Sequence, residues 1–136
     1  MDGRAGLEQR VRLTRGADFW STEAVGEVPS LVLTDGPHGV RRQRGDADHL
    51  GIADAEPATC FPPAVGLAQS WDRDLVERVG VALGREARAL GVDVLLGPGV
   101  NIKRDPRGGR NFEYFSEDPV VAGTLGAAWV TGVQGE

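Results

Sequence analysis

The sequence predicts a parallel α/β fold of the barrel-forming kind, on three observations. Short apolar runs are bracketed by turn residues, a strongly amphipathic helix lies between two of them, and the unusual polar residues gather just after the runs. Parallel strands buried on both faces read as continuous apolar runs, and loops at their C-terminal ends carry chemistry in such folds. The chain offers about three βα units in 136 residues, whereas a closed (β/α)8 TIM-type barrel needs roughly 250. It therefore reads as the first, incomplete part of such a barrel over residues 1–136.

Taken in order, residues 7–15 give a helical pattern through Leu7, Val11 and either Leu13 or Thr14, with Gly16 as the expected C-terminal cap. Phe19 and Trp20 follow as packing anchors in a polar loop. Residues 30–34 are an apolar run after Pro29 and form the first expected strand. Asp35-Gly36-Pro37-His38-Gly39 forces an abrupt turn there and fixes Asp35 at the strand tip. His38 reads as a solvent-facing member of this turn. Residues 42–59 are polar, mixed in sign and aperiodic, an excursion over the surface that can cover a pocket.

Cys60 has no second cysteine to pair with and reads as a small, buried or half-buried apolar residue beside Phe61 and Pro62. Residues 64–68, small and apolar, are expected as a second strand, weakened by Gly66. Asp72 then caps a helix in which Leu75, Val76, Val79, Leu83, Ala87 and Leu90 recur at three- and four-residue spacing, closed by Gly91. Residues 92–96 are the third expected strand. A long loop of cations, carboxylates and aromatics follows over residues 97–119, and Asp118 and Pro119 open a last helix to about residue 133. Gly123, Gly126 and Gly132 weaken that helix by roughly 1 kcal/mol each relative to alanine, so it depends on packing.

Composition excludes several classes. A net charge of -5 without any Lys/Arg block argues against a nucleic-acid surface. Of 15 basic residues only Lys103 is a lysine, a bias that points to coding composition rather than function. No apolar run approaches the ~20 residues of a membrane span, and the first residues lack a secretory pattern, so cytoplasmic residence is expected. No cofactor or metal motif is present. A doubly wound nucleotide-binding fold competes with the barrel, but neither the turn after Asp35 nor Gly97-Pro98-Gly99 has its glycine spacing.

Three stretches carry a resemblance: Leu33-Thr-Asp-Gly-Pro-His-Gly-Val-Arg41, Cys60-Phe-Pro-Pro-Ala-Val-Gly-Leu-Ala-Gln-Ser-Trp-Asp72, and Gly97-Pro-Gly-Val-Asn-Ile-Lys-Arg-Asp-Pro-Arg-Gly-Gly-Arg-Asn-Phe-Glu-Tyr-Phe-Ser-Glu-Asp-Pro119. In order and spacing the chain resembles the N-terminal part of glycoside hydrolase family 3, the family of many β-glucosidases. The resemblance implies a (β/α)8-type barrel and a β-glucoside or oligosaccharide substrate. It implies that Asp35 accepts hydrogen bonds from hydroxyls of the terminal sugar and that Arg110 donates to the same unit. An ionised carboxylate and a guanidinium suit those tasks.

Glu113 is expected to orient Arg110 by a bidentate pair and Arg41 to support Asp35 in the same way. Arg104, Asp105 and Arg107 are expected to shape the loop by ion pairing, and His49 has no assigned role. The resemblance further implies retaining hydrolysis, with a nucleophilic aspartate and an acid/base expected downstream, as is a Lys-His sugar contact. Catalytic residues are thus expected to be absent from this chain, which reads as catalytically inert and poorly stable alone, with an open strand edge. A non-catalytic sugar-binding module and an inert truncated product are the alternatives; the exact sugar and the oligomeric state stay open.

Overall fold

The computed structural model describes residues 6–45 and 54–136; His49 and part of the surface excursion lie outside them. Its centre is a two-stranded parallel sheet, β1 (Leu33–Asp35) beside β2 (Val94–Leu96), in the register Leu33 to Val94 and Asp35 to Leu96. Helices α1 (Leu7–Arg12), α2 (Ala64–Ala68), α3 (Arg73–Ala89) and α4 (Pro119–Gln134) surround it, with a 3-10 turn at Asn111–Glu113. The expected parallel α/β class stands, with two parallel strands among the described residues instead of three.

The missing strand is α2. Residues 64–68 fold as a helix, not a strand, because Pro63 fits the position before a first turn and Ala64, Leu67 and Ala68 bury one helical face. The first helix also departs from expectation. It stops at Arg12 and Gly16 pairs instead with Thr22 in an antiparallel bridge. Its apolar positions Leu7, Val11 and Leu13 stay exposed, so nothing packs a further turn. Arg12 and Arg15 both bind Glu23, at 2.6 and 3.0 Å, and tie the helix to the following segment.

The long helices match their sequence signals. Asp72 Oδ1 accepts from the Leu75 N–H at 2.9 Å, and Asp118 Oδ1 accepts from Val120 and Val121 at 2.7 and 3.0 Å. Gly91 ends α3 at φ +68°. Val76 and Leu83 of α3 are fully buried, and they form the core with Leu125, Ala128 and Trp129 of α4. Among the described residues no helix is long and apolar enough to cross a membrane.

Two of the α4 glycines are contacts, not weaknesses. A Cβ on Gly132 would collide with the Glu77 carbonyl oxygen, and one on Gly80 of α3 would stand 2.5 Å from the Trp129 carbonyl oxygen, so the two backbones meet where both side chains are absent. Gly126 similarly receives Val100, 2.9 Å from where its Cβ would be. Gly123 has nothing within 4 Å. Gly132→Ala should therefore destabilise the fold by about 1–3 kcal/mol despite its helix propensity. Gly123→Ala should stabilise it by about 0.5–1 kcal/mol. Urea unfolding of both variants checks this, and stabilisation by both would contradict a close helix crossing at Gly132.

Candidate functional site

Asp35 is the last residue of β1 and exposed, and its Oδ1 accepts from the Gly36 N–H at 2.9 Å. Gly36 takes φ +132° and Gly39 φ +153°, backbone that glycine alone adopts without strain, and a Cβ on either would collide with backbone. The turn is closed by Gly39 N–H to the Gly36 carbonyl, 3.2 Å, and Arg41 N–H to the Asp35 carbonyl, 3.0 Å. Thr34, buried, donates its hydroxyl to the Arg41 carbonyl. Arg41 thus supports Asp35 through its backbone; among the described residues no ion pair joins the two side chains, which corrects the expected pairing.

The second loop leaves β2 at Gly97. A Cβ there would lie 3.0 Å from Pro37 Cβ and 3.2 Å from the Trp129 ring, so the loop begins wedged between the Asp35 turn and α4. Gly99 bridges to Tyr114 in parallel, and Lys103, half-buried, donates to the Phe115 carbonyl at 3.4 Å. Asp105 organises the tip. Its carboxylate accepts from Arg107 N, Nε and Nη2 at 2.9, 3.0 and 2.7 Å, and its carbonyl accepts from Asn111 Nδ2 at 2.8 Å and Gly108 N at 3.0 Å. Asp105 and Arg107 therefore shape the loop by ion pairing as expected, whereas Arg104, expected to join them, makes no ion pair among the described residues.

The 3-10 turn that follows presents Arg110 and Glu113 as a bidentate pair, Nε to Oε1 at 2.8 Å and Nη2 to Oε2 at 2.6 Å. This is the pairing the sequence predicted. Glu113 is largely covered while Arg110 is 74% exposed, so the guanidinium keeps free donor positions at the surface. Hydrogen bonding to Arg110 holds the Glu113 carboxyl below the usual carboxylate range, and Arg110 is raised chiefly by Glu113 with a further contribution from Asp35. Asp35 at the end of β1 and Arg110 in the loop after the adjacent strand β2 thus belong to the same side of the sheet.

His38 does not face solvent. Its Nε2 is buried and has no hydrogen-bond partner among the described residues, and burial pushes its imidazole down, against an upward pull from Glu113 and Asp35. Phe61 N–H donates to the His38 carbonyl at 2.8 Å, and residues 56–60 line the same cleft as His38. Sequence reasoning missed this because those residues are distant in the chain. Cys60, expected under cover, is exposed; Phe61 turns inward to the core in its place. Trp20 does anchor, donating from Nε1 to Gln43 at 3.1 Å, whereas Phe19 stays half exposed and meets Trp20 edge to face at 4.7 Å.

Asp35 borders two clefts. One of about 620 Å³ runs past Trp20, Leu33 and Leu96, and one of about 380 Å³ lies between residues 35–41 and residues 56–60. The last residues of the surface excursion line the second cleft, and Arg44 N–H to Asp54 and Glu56 N–H to Arg42, at 2.9 and 2.7 Å, pair the two ends of the excursion. A hollow of about 650 Å³ along β2, from Gly91 to Gly97 and beside Trp129 and Val133, contains none of the expected site residues. Among the described residues no cluster of His, Cys, Asp and Glu could hold a metal ion.

Three comparisons locate this arrangement. The sequence family described as glycosyl hydrolase family 3 N terminal domain matches residues 5–136. Thermostable beta-glucosidase B of Acetivibrio thermocellus is 57% identical over 132 residues, which cover 96% of this chain and 18% of that protein. An exo-alpha-(1->6)-L-arabinopyranosidase of Bifidobacterium longum is 49% identical over 131 residues, 94% of this chain and 17% of that protein. The chain is similar in structure to a GH3 beta-glucosidase of Bifidobacterium adolescentis, with TM-score 0.85, 46% identity and coverage of 96% of this chain and 18% of that one. It is similar to beta-glucosidase 3B of Thermotoga neapolitana in complex with alpha-D-glucose, with TM-score 0.84, 39% identity and coverage of 96% and 20%. The chain thus spans about a fifth or less of the length of these relatives.

Removing the Asp105 carboxylate should loosen the tip that carries Arg110. Asp105→Ala is expected to speed amide exchange at Arg107 by about tenfold, the worth of one charged hydrogen bond at an exposed site, and to leave α4 unchanged. Hydrogen-exchange mass or NMR measurement reads this, and unaltered exchange over residues 105–111 would contradict the assigned role.

Proposed function

The chain belongs to glycosyl hydrolase family 3, and on that premise we propose that it carries part of the subsite that holds the terminal sugar of a β-glucoside or related oligosaccharide. Asp35 accepts from adjacent hydroxyls, and Arg110, oriented by Glu113, donates to the same unit; Arg41 fixes Asp35 through the turn. The observation that carries this reading is that an exposed carboxylate ends β1 while a paired guanidinium stands in the loop that follows the neighbouring parallel strand β2. Ligand sites in parallel α/β folds lie at those strand ends. The glucose bound to the Thermotoga relative favours a glucosyl unit, and the arabinopyranosidase among the relatives keeps other pyranoses open.

In this reading residues 1–136 are the first part of a (β/α)8 barrel domain, and the enzyme that contains them is a retaining β-glucosidase-type hydrolase. Retention needs a nucleophilic carboxylate and a protonated carboxylic acid roughly 5–5.5 Å apart. Glu113 cannot serve as the acid, because Arg110 occupies both its oxygens and holds it ionised. With Asp35 as a sugar acceptor, these 136 residues recognise a glycoside without supplying the pair that breaks its bond.

Calorimetric titration of the chain with glucose should give binding that Asp35→Ala reduces at least tenfold, with no release of an aryl leaving group from an aryl β-glucoside. In an enzyme of full family length the same substitution should remove several kcal/mol of transition-state stabilisation, read from kcat/KM. Turnover by the isolated chain that Asp35→Ala abolishes would overturn the division of labour, and near-unchanged kcat/KM in the longer enzyme would overturn the role of Asp35.

A further inference from the structure

One wall of the cleft beside Asp35 is gripped by a helix that lines no part of it. Thr59 and Cys60 face residues 35–41 across that cleft, and they belong to a segment without helix or strand of its own. Glu86, in the last turn of α3, holds this segment. Its carboxylate accepts from the Thr59 N–H, at 3.1 Å to Oε1 and 3.2 Å to Oε2, and from the Thr59 hydroxyl at 2.5 Å to Oε1. One ionised side chain thus takes both donors of Thr59. The base of the grip is firm, because Leu83 and Ala87 on either side of Glu86 are buried in the core.

Thr59 in turn meets the turn that carries Asp35. A Cβ on Gly39 would collide with the Thr59 carbonyl oxygen, so the two backbones touch. Inside the turn, Gly39 N–H donates to the Gly36 carbonyl at 3.2 Å and Arg41 N–H to the Asp35 carbonyl at 3.0 Å. Gly36 N–H donates to Asp35 Oδ1 at 2.9 Å. A line of hydrogen bonds and backbone contact therefore runs from Glu86 through Thr59, Gly39 and Gly36 to the Asp35 carboxylate. The segment has other anchors on both sides: Phe61 packs on the core, and Glu56 N–H donates to the Arg42 carbonyl. Between those anchors, Glu86 fixes the residue that touches Gly39.

We infer that Glu86 is a positioning residue for sugar recognition: it presses Thr59 against Gly39 and so sets the Asp35 turn and the width of the cleft beside it. The consequence for binding rests on the sugar-site reading. The charge of Glu86 has a purpose here, since charge-assisted hydrogen bonds are roughly twice as strong as neutral ones and Thr59 is exposed to competing water.

The test combines amide hydrogen exchange, read by NMR on the 15N-labelled chain, with glucose titration of wild type, Glu86→Ala and Glu86→Gln. In Glu86→Ala, exchange at Thr59, Gly39 and Arg41 should speed about fivefold, with Leu83 and Leu125 unchanged, and glucose affinity should fall about fivefold. Glu86→Gln keeps one acceptor oxygen and should recover part of both losses. Thr59→Val added to Glu86→Ala should cost little more, because the acceptor of its hydroxyl is already gone. Release confined to Thr59, no recovery in Glu86→Gln, or a Thr59→Val loss that adds in full would overturn the inference. If Glu86→Ala does not fold, Glu86→Gln decides: smaller changes at the same amides support the role, and unchanged amides overturn it. Released amides with level glucose affinity would overturn the consequence for binding. A wild-type chain that binds no glucose, with the release intact in Glu86→Ala, would count against the sugar-site reading and leave the hold on the Asp35 turn standing.

Discussion

Gly97 is the position on which the arrangement depends, since it has no side chain and two parts of the molecule use the space. Pro37 of the Asp35 turn and the ring of Trp129 close on it from different sides. Any side chain there would push the Asp35 turn away from the loop that carries Arg110, or push α4 away from the sheet. Trp129 itself is 3% exposed and sits where it does because α3 and α4 approach closely at Gly80 and Gly132. Packing of glycine against backbone in the helices thus reaches, through Trp129 and Gly97, the start of the loop that carries Arg110.

The charges of the site lie on its rim, and this governs what they can do. The Arg110–Glu113 pair is too exposed on the arginine side to add much to stability, because solvent screens such pairs and side-chain ordering offsets the gain. Its physical effect is orientation: a planar fork held at two points leaves its remaining N–H groups in a fixed direction. His38 is the reverse case, a titratable ring placed inside. The backbone hydrogen bonds of the Asp35 turn and Phe61 hold it there whether or not its second nitrogen is satisfied.

Much of this was legible in the residues. The caps Asp72 and Asp118, the burial of Leu83 and Leu125, Asp35 at a strand end and the i,i+3 pairing of Arg110 with Glu113 all follow from local rules that need no partner. Residues 64–68 misled because five small apolar residues satisfy both periods; Ala64, Leu67 and Ala68 at helical spacing after Pro63 carried the deciding sign. The glycines of α4 look like defects in isolation, and only the facing backbone of α3 turns Gly132 into a contact. His38 and Cys60 depart from expectation for a related reason, since the bond that ties their segments together, Phe61 N–H to the His38 carbonyl, joins residues far apart in the chain.

The central claim is that the turn after β1 and the loop after β2 make one sugar-facing surface. A crystal structure of the chain grown with glucose tests it most directly. The account predicts one pyranose with hydroxyls within hydrogen-bond distance of both the Asp35 carboxylate and the Arg110 guanidinium, and Glu113 still paired to Arg110. A sugar that meets only one of these two groups, or lies in the hollow beside Val133, would contradict it.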